Sequence, residues 1–520
     1  MQQPAHTGVP GEKRRLVANT LANGLSQVAA MLASLVFMPL LIQSFGLERY
    51  GLYMLASSVA AYAVLFDFGT GAALTKMVAE HHATGSREEL AGSISSALLF
   101  YTIVGAAVAL VMVVVGLFSR QLFQVDADGA KLVRYMLWIG AALQLWYWPA
   151  ATARHVLAGL QRFDLLSAVG VGATVLGIGA TGWVLYSGSG PIALVFLTGT
   201  VTALAGAANV FLARRCLGMP IMSYQAASRA YLTAIFAFSW AVFVIDLSDV
   251  LFYQQTDRVI LGIFAGAAAV GLYEAAAKFN SLVSFMSGLA VSAVLPLASR
   301  LGAEGRHVSL KSLLLRGTKY IAALIAPVAL VLSVLATPII ANWLGPQFSG
   351  QGRVAQVLML PHVLVCLGVM GDAIVISKGR LAGRVPFIVA QAVLNVVLSV
   401  ALVGRLGVMG VALGTAIAHL IDFPLHMRWL MSETGAHLGE YMRSVIVPIY
   451  PLLLVPVVIS LGLCRTPLVD TLLGDAVIAA VAIASYWVIV YVLGFNQGEK
   501  DQLRAFFSAA GGRIVRGLTP

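Results

Sequence analysis

The chain has 520 residues, of which 59% are hydrophobic and only 11% charged, against roughly 25% charged in an average soluble domain. That shortfall excludes an ordinary soluble enzyme of this length and, more firmly, a disordered chain. Lys and Arg outnumber Asp and Glu by 33 to 22, a surplus suited to nucleic acid or to an anionic membrane surface, and the placement of the cations decides between the two.

A membrane-crossing helix needs about 20 mostly apolar residues. Fourteen stretches qualify, starting near Leu16, Gly51, Ala91, Lys131, Leu165, Ile192, Tyr231, Gly271, Ser312, Val354, Val385, Val408, Met442 and Leu472. With a cytoplasmic N-terminus and strict alternation, 24 of the 33 cations fall on the inside segments and seven on the outside ones. A miscounted span would blur that asymmetry. The pattern therefore predicts an all-α polytopic membrane protein with both termini cytoplasmic. Most of the positive surplus then reports topology and contact with anionic membrane lipids, and nucleic acid is not needed to explain it. No cleavable signal peptide is read, so the first span is expected to target the chain. Cys216, Cys366 and Cys464 lie in or beside apolar runs without CxxC spacing and read as small hydrophobes.

Charges inside spans are costly and usually face a bundle interior, so the few present are the candidate site. In span 1, Asn19, Asn23 and Gln27 follow one another at i+4, a polar stripe that either lines a cavity or bonds a neighbouring helix. Span 2 carries Asp67 at mid-depth without a cation one turn away, then Gly69 and Gly71, which loosen the helix there, and Lys76 at its inner end. Lys76 suits substrate binding or snorkelling to head groups. Arg134 and Arg154 bracket span 4, as head-group guides or as end anchors, with Trp146, Tyr147 and Trp148 between them. Span 7 places Asp246, Asp249, Tyr253 and Asp257 within about 80° on one helix face, followed by Arg258. Span 8 carries Glu274 and Lys278 at i, i+4, close enough to pair. Arg258 and Lys278 either meet an anionic substrate, with the acids as poising or coupling groups, or lock spans 7 and 8 by pairing. Span 10 contributes His362 and Asp372. Span 12 contributes His419, Asp422 and His426 on one face, with Pro424 expected to interrupt the helix between them. No fourth ligand accompanies that trio, so neither a metal nor any other cofactor is expected, while coupling to protonation stays open. The tail after Asn496, with Leu503, Phe506 and Phe507 beside Lys500 and Arg504, suits a helix lying on anionic lipid.

One segment recurs. Gly46-Leu-Glu-Arg-Tyr-Gly-Leu-Tyr53 returns as Gly266-Ala-Ala-Ala-Val-Gly-Leu-Tyr273, in the outside turn between spans 1 and 2 and again between spans 7 and 8. Six spans separate the copies, so the halves share one orientation, as in parallel-repeat transporters. The expected organisation is an N-lobe over 1–229, a C-lobe over 230–435, two appended spans over 436–496 and a cytoplasmic tail over 497–520.

The stretch Phe45–Tyr53 with Asp67–Lys76 and Ala79-Glu80 resembles the polysaccharide-transporter family of Wzx-type flippases. So does the second-half block Asp257–Gly262, Val270–Tyr273, Ala276–Lys278 and Leu295–Arg300. The family belongs to the MATE-like flippase superfamily, which includes lipid II flippases and multidrug exporters. The resemblance implies a two-lobed, V-shaped transporter, not an enzyme, that moves undecaprenyl-pyrophosphate-linked glycan to the outer leaflet by alternating access. Its partners would be that lipid-linked glycan and polymerase or assembly proteins of the same pathway. A cation-coupled exporter or a lipid II flippase of the same architecture is the alternative. A membrane-embedded glycan polymerase or ligase fits poorly, because the short outside loops leave little room for its catalytic groups.

Overall fold

The computed structural model describes residues 10–234, 256–303, 307–378, 380–501 and 503–504. Side chains are described within them except at 10–23, 292–293, 295–303, 307–309 and 381–382. Among the described residues every regular element is helical. This follows from the solvent: lipid offers no partner to a backbone N–H or C=O, and a helix satisfies both within its own segment.

The helices are α1 (Pro10–Phe45), α2 (Leu47–Ala61), α3 (Thr70–Thr84), α4 (Arg87–Leu117), the short α5 (Ser119–Phe123), α6 (Ala127–Gly159), α7 (Phe163–Ser187) and α8 (Gly190–Leu217). They continue with α9 (Thr256–Phe264), α10 (Ala267–Ala303) and α11 (His307–Leu344). The bent pair α12 (Gln351–Val365) and α13 (Val369–Ser377) turns by 54° at its break. Last come α14 (Val385–Leu406), α15 (Val408–Thr434), α16 (Leu438–Leu463) and α17 (Leu472–Gly494). Among the described residues ten helices are long and apolar enough to cross a membrane, or eleven with the bent pair taken as one span. The expected spans 4 and 8 fall on α6 and α10, of 33 and 37 residues. Most of the expected span 7, with Asp246, Asp249 and Tyr253, lies outside the described residues. The expected break at Pro424 is absent, since α15 runs through it.

Two compact units result: Met1–Leu272 with Ser399–Val411, and Tyr273–Leu398 with Ala412–Pro520. In the first unit, α4, α6 and α8 form the centre, around Tyr101, Val133, Met136, Leu137 and Trp148. A second cluster, with Leu74, Val78, Ile94, Val156 and Leu157, joins α3, α4 and α6. On the rim, α7 has few fully buried residues, and Val175, Leu176 and Trp183 are exposed. Such apolar exposure is untenable in water and ordinary in lipid.

The two copies of the repeated segment meet inside this unit. Gly46 and Gly266 turn with φ of 82° and 81°, a region open to glycine at little cost. A Cβ on Gly51 would overlap the Ala267 carbonyl oxygen, and one on Gly271 would stand 2.9 Å from the Leu47 oxygen. Shifting 47 and 51 by 220 gives 267 and 271, so the contact is reciprocal, each copy using its glycine against the other's backbone.

Candidate functional site

Span 2 is a broken helix. After α2 the chain tightens into a 3-10 turn over Tyr62–Asp67, passes through Phe68 (φ 49°) and Gly69 (φ 72°) in the left-handed region, and restarts as α3. A bare backbone cannot stay unpaired in hydrocarbon, so such breaks occur where they are buried in protein or line a cavity. Asp67 ends the first segment just ahead of the α3 N-terminus, where the helix dipole favours a carboxylate. The Tyr101 hydroxyl, fully buried on α4, donates to Asp67 Oδ1 at 2.6 Å. The Tyr101 ring is stacked between Trp148, at 5.7 Å, and His155, at 6.1 Å between centroids. His155 occupies the space that a Cβ on Gly71 would fill. Gly69 therefore serves the break and Gly71 the seat of the imidazole.

The residue before that histidine, Arg154, opens onto a cavity of about 550 Å³ within the first unit. Gln27 of α1, Tyr147 and Arg154 of α6, Phe163 of α7, and Thr202 and Asn209 of α8 line it. The Asn209 side-chain oxygen is buried with no hydrogen-bond partner among the described residues. A second, mainly apolar cavity of about 310 Å³ adjoins it, sharing Tyr147 and Thr202 and adding Tyr53, Met112, Gln144 and Thr198. Together they give a guanidinium, amides, hydroxyls and aromatic rings inside an otherwise apolar bundle. A guanidinium binds phosphate bidentately.

The second unit contains polar pairs. Arg384 chelates Asp422 with both terminal nitrogens, one at 2.8 Å, and both residues are buried. Asp372 meets His426 at 2.8 Å, and Gln391 meets His419 at 2.7 Å. His362 contacts Asn280. The three groups that share a face of α15 thus turn to three different partners, and among the described residues no cluster could hold a metal. Lys319 and Glu499 form a further buried pair at 2.8 Å.

Of the residues singled out from sequence, Gln27 lines the larger cavity, whereas Asn19 and Asn23 lie on α1 among side chains not described. Lys76 is exposed and stands 3.6 Å from Glu80. Arg134 reaches the Gly116 carbonyl near the C-terminal end of α4, at 3.4 Å. Glu274 is buried, while Asp257, Arg258 and Lys278 are half-buried, and each of the four has an interaction partner. Tyr101, His155 and Asn209 were not singled out. None belongs to a polar stripe along its own helix, and only the proximity of other helices gives it a role.

Three comparisons bear on this arrangement. The family model described as "Polysaccharide biosynthesis protein" matches residues 16–302. A probable low-salt glycan biosynthesis flippase, Agl15 of Haloferax volcanii, is 23% identical over 74% of this chain and 77% of its own. The uncharacterized membrane protein EpsK of Bacillus subtilis is 23% identical over 84% of this chain and 87% of its own. Among solved structures, the lipid II flippase MurJ in an inward closed conformation superposes with a TM-score of 0.69 at 15% identity, covering 91% of this chain and 99% of that one. An inward-facing multidrug resistance MATE family transporter of the MOP superfamily gives 0.64 at 16% identity, covering 79% and 94%. At such identities the structural likeness speaks for the fold.

Proposed function

As the chain belongs to the polysaccharide biosynthesis protein family, we propose that it is a flippase for polyprenyl-pyrophosphate-linked oligosaccharide. It carries the head group from the cytoplasmic to the outer leaflet of the bacterial inner membrane by alternating access, with both termini cytoplasmic. The observation that carries this reading is the polar cavity of the first unit. A pyrophosphate and its sugars need a cation, hydrogen-bonding groups and aromatic faces in a bundle that is otherwise apolar, and Arg154, Gln27, Thr202, Asn209, Tyr147 and Phe163 supply them. The polyprenyl tail needs no cavity, because it stays in lipid throughout. Lys278 and Arg258 are proposed as further cations for the phosphates, and Asp67 as a member of the cavity wall poised by Tyr101. The name of the glycan biosynthesis flippase relative supports the substrate class.

The test is deletion followed by extraction of lipid-linked intermediates and assay of their sidedness. Undecaprenyl-linked glycan held on the cytoplasmic face, relieved by the wild-type chain and not by Arg154→Gln, is the expected result. Normal glycan export in the deletion strain overturns the reading. The mainly apolar second cavity favours one other reading, a cation-coupled exporter of small amphiphiles. Loss of drug efflux with glycan export intact is its outcome in the same strain.

A further inference from the structure

A third cavity, of about 960 Å³, lies wholly in the second unit and apart from the polar cavity described above. It is walled by the start of α11, the start of α16, the end of α17 and the residues just after it, Phe495, Asn496 and Glu499. Four cations line it, Lys311, Arg316, Lys319 and Arg443, against two acids, Glu440 and Glu499. The acids are already committed: Glu440 holds Lys311 at 2.6 Å and Glu499 holds Lys319 at 2.8 Å. Glu499 also accepts from the Asn496 backbone N–H while Asn496 caps the Glu499 N–H, which fixes the floor of the groove. Arg316 and Arg443 keep their charge without an acidic partner among the described residues, and both are exposed.

Apolar side chains make up much of the rest of the groove. Leu315, Val447, Leu452 and Leu493 line it, and Val447 and Leu493 are well exposed. Its local backbone is unusual as well. Met442–Ile446 and Val490–Gly494 are both π-helical, and both contribute to this one lining. A π-turn is rare, occurs mostly as a single turn within an α-helix and is frequent at functional sites. Here the two turns set Arg443 with Ser444, and Leu493 with Gly494, along the same cavity.

We propose that this groove is a binding site for an anionic phospholipid, with the phosphodiester on Arg316 and Arg443 and the acyl chains along Val447, Leu452 and Leu493. The occupant is amphiphilic because two uncompensated guanidinium groups adjoin exposed apolar side chains. It comes from the membrane because the groove opens at a span end, where basic pockets between helices bind lipid head groups. The bound lipid bridges α11 to α16 and α17, adding to the Lys311–Glu440 and Lys319–Glu499 pairs that already tie the C-terminal spans to the unit.

The experiment uses the full chain in nanodiscs of phosphatidylcholine with 20 parts per hundred, roughly, of phosphatidylglycerol. Lipid retained after transfer to detergent is identified by native mass spectrometry. Retained phosphatidylglycerol should exceed its share of the bilayer. Arg316→Gln and Arg443→Gln should each weaken that preference about 5-fold, and together about 30-fold. Phosphatidylcholine retention and the melting temperature in pure phosphatidylcholine should stay as in the unaltered chain. Retention of the two lipids by the unaltered chain in their bilayer proportion overturns the proposal. So does an unchanged preference in the double variant, or displacement of phosphatidylglycerol by millimolar glycerol 3-phosphate, which would make the ligand a free phosphate. None of these readouts depends on which substrate is transported.

Discussion

Replacing Gly51 by Ala tests the contact between the repeated segments most directly. The added Cβ would overlap the Ala267 carbonyl oxygen, and would stand 2.7 Å from that carbonyl carbon and 3.1 Å from the Gly271 nitrogen. All are backbone atoms, so no side chain can rotate away, and α2 must part from α10 by roughly 1 Å. Overpacking of this kind costs about 1–3 kcal/mol, and a backbone obstacle puts Gly51→Ala at the upper end. Helix propensity works the other way by about 1 kcal/mol at most. Gly177→Ala isolates that gain, because nothing lies within 4 Å of its Cβ. Thermal inactivation in detergent, followed by size exclusion with fluorescence detection, should rank Gly177→Ala at or above the wild type. Gly51→Ala should fall below it by roughly 5 °C or more. Gly271→Ala probes the same interface from the other side, so the double variant should lose less than the two single losses added together. A Gly51→Ala protein as stable as Gly177→Ala would refute the close backbone contact, and full additivity would refute its reciprocity.

Two further outcomes follow from the buried polar pairs. Arg384→Met alone leaves Asp422 buried and uncompensated, and should destabilise the second unit by about 3–5 kcal/mol, whereas Arg384→Met with Asp422→Leu should recover most of the loss; thermal midpoints of the three proteins measure this, and a double variant worse than the single would count against the pairing. Tyr101→Phe removes the donor to Asp67 while keeping the ring stacked on Trp148 and His155, so it should lower glycan export several-fold in a complementation assay with little change in protein level, and Asp67→Asn should do the same; normal export in both would remove the aspartate from the transport site.

How far the sequence could be read differs between the fold and the site. Hydropathy located the apolar helices, including α12 and α13 as one span without the 54° break between them, because lipid imposes the same local requirement on every crossing segment. Gly69 was legible as a loosening point in span 2, since only a local backbone property is involved. The pairing of Arg384 with Asp422 was not: the arginine stands in a connection whose charge counts towards topology, and its burial depends on how α15 packs against the start of α14. Lys319 likewise counted as a cation of the inner face, yet it is buried against Glu499, 180 positions away.

The sequence by itself thus determined the solvent, the helical class and the repeated glycine segment, for each is written in composition or in spacing along one chain. Tertiary structure decided which polar groups meet. Tyr101 finds Asp67 across 34 positions, and Asn209 joins Gln27 in one cavity across 182. The energy of a buried polar group lies in its partner, and that partner is brought within 3 Å or so only by helix packing.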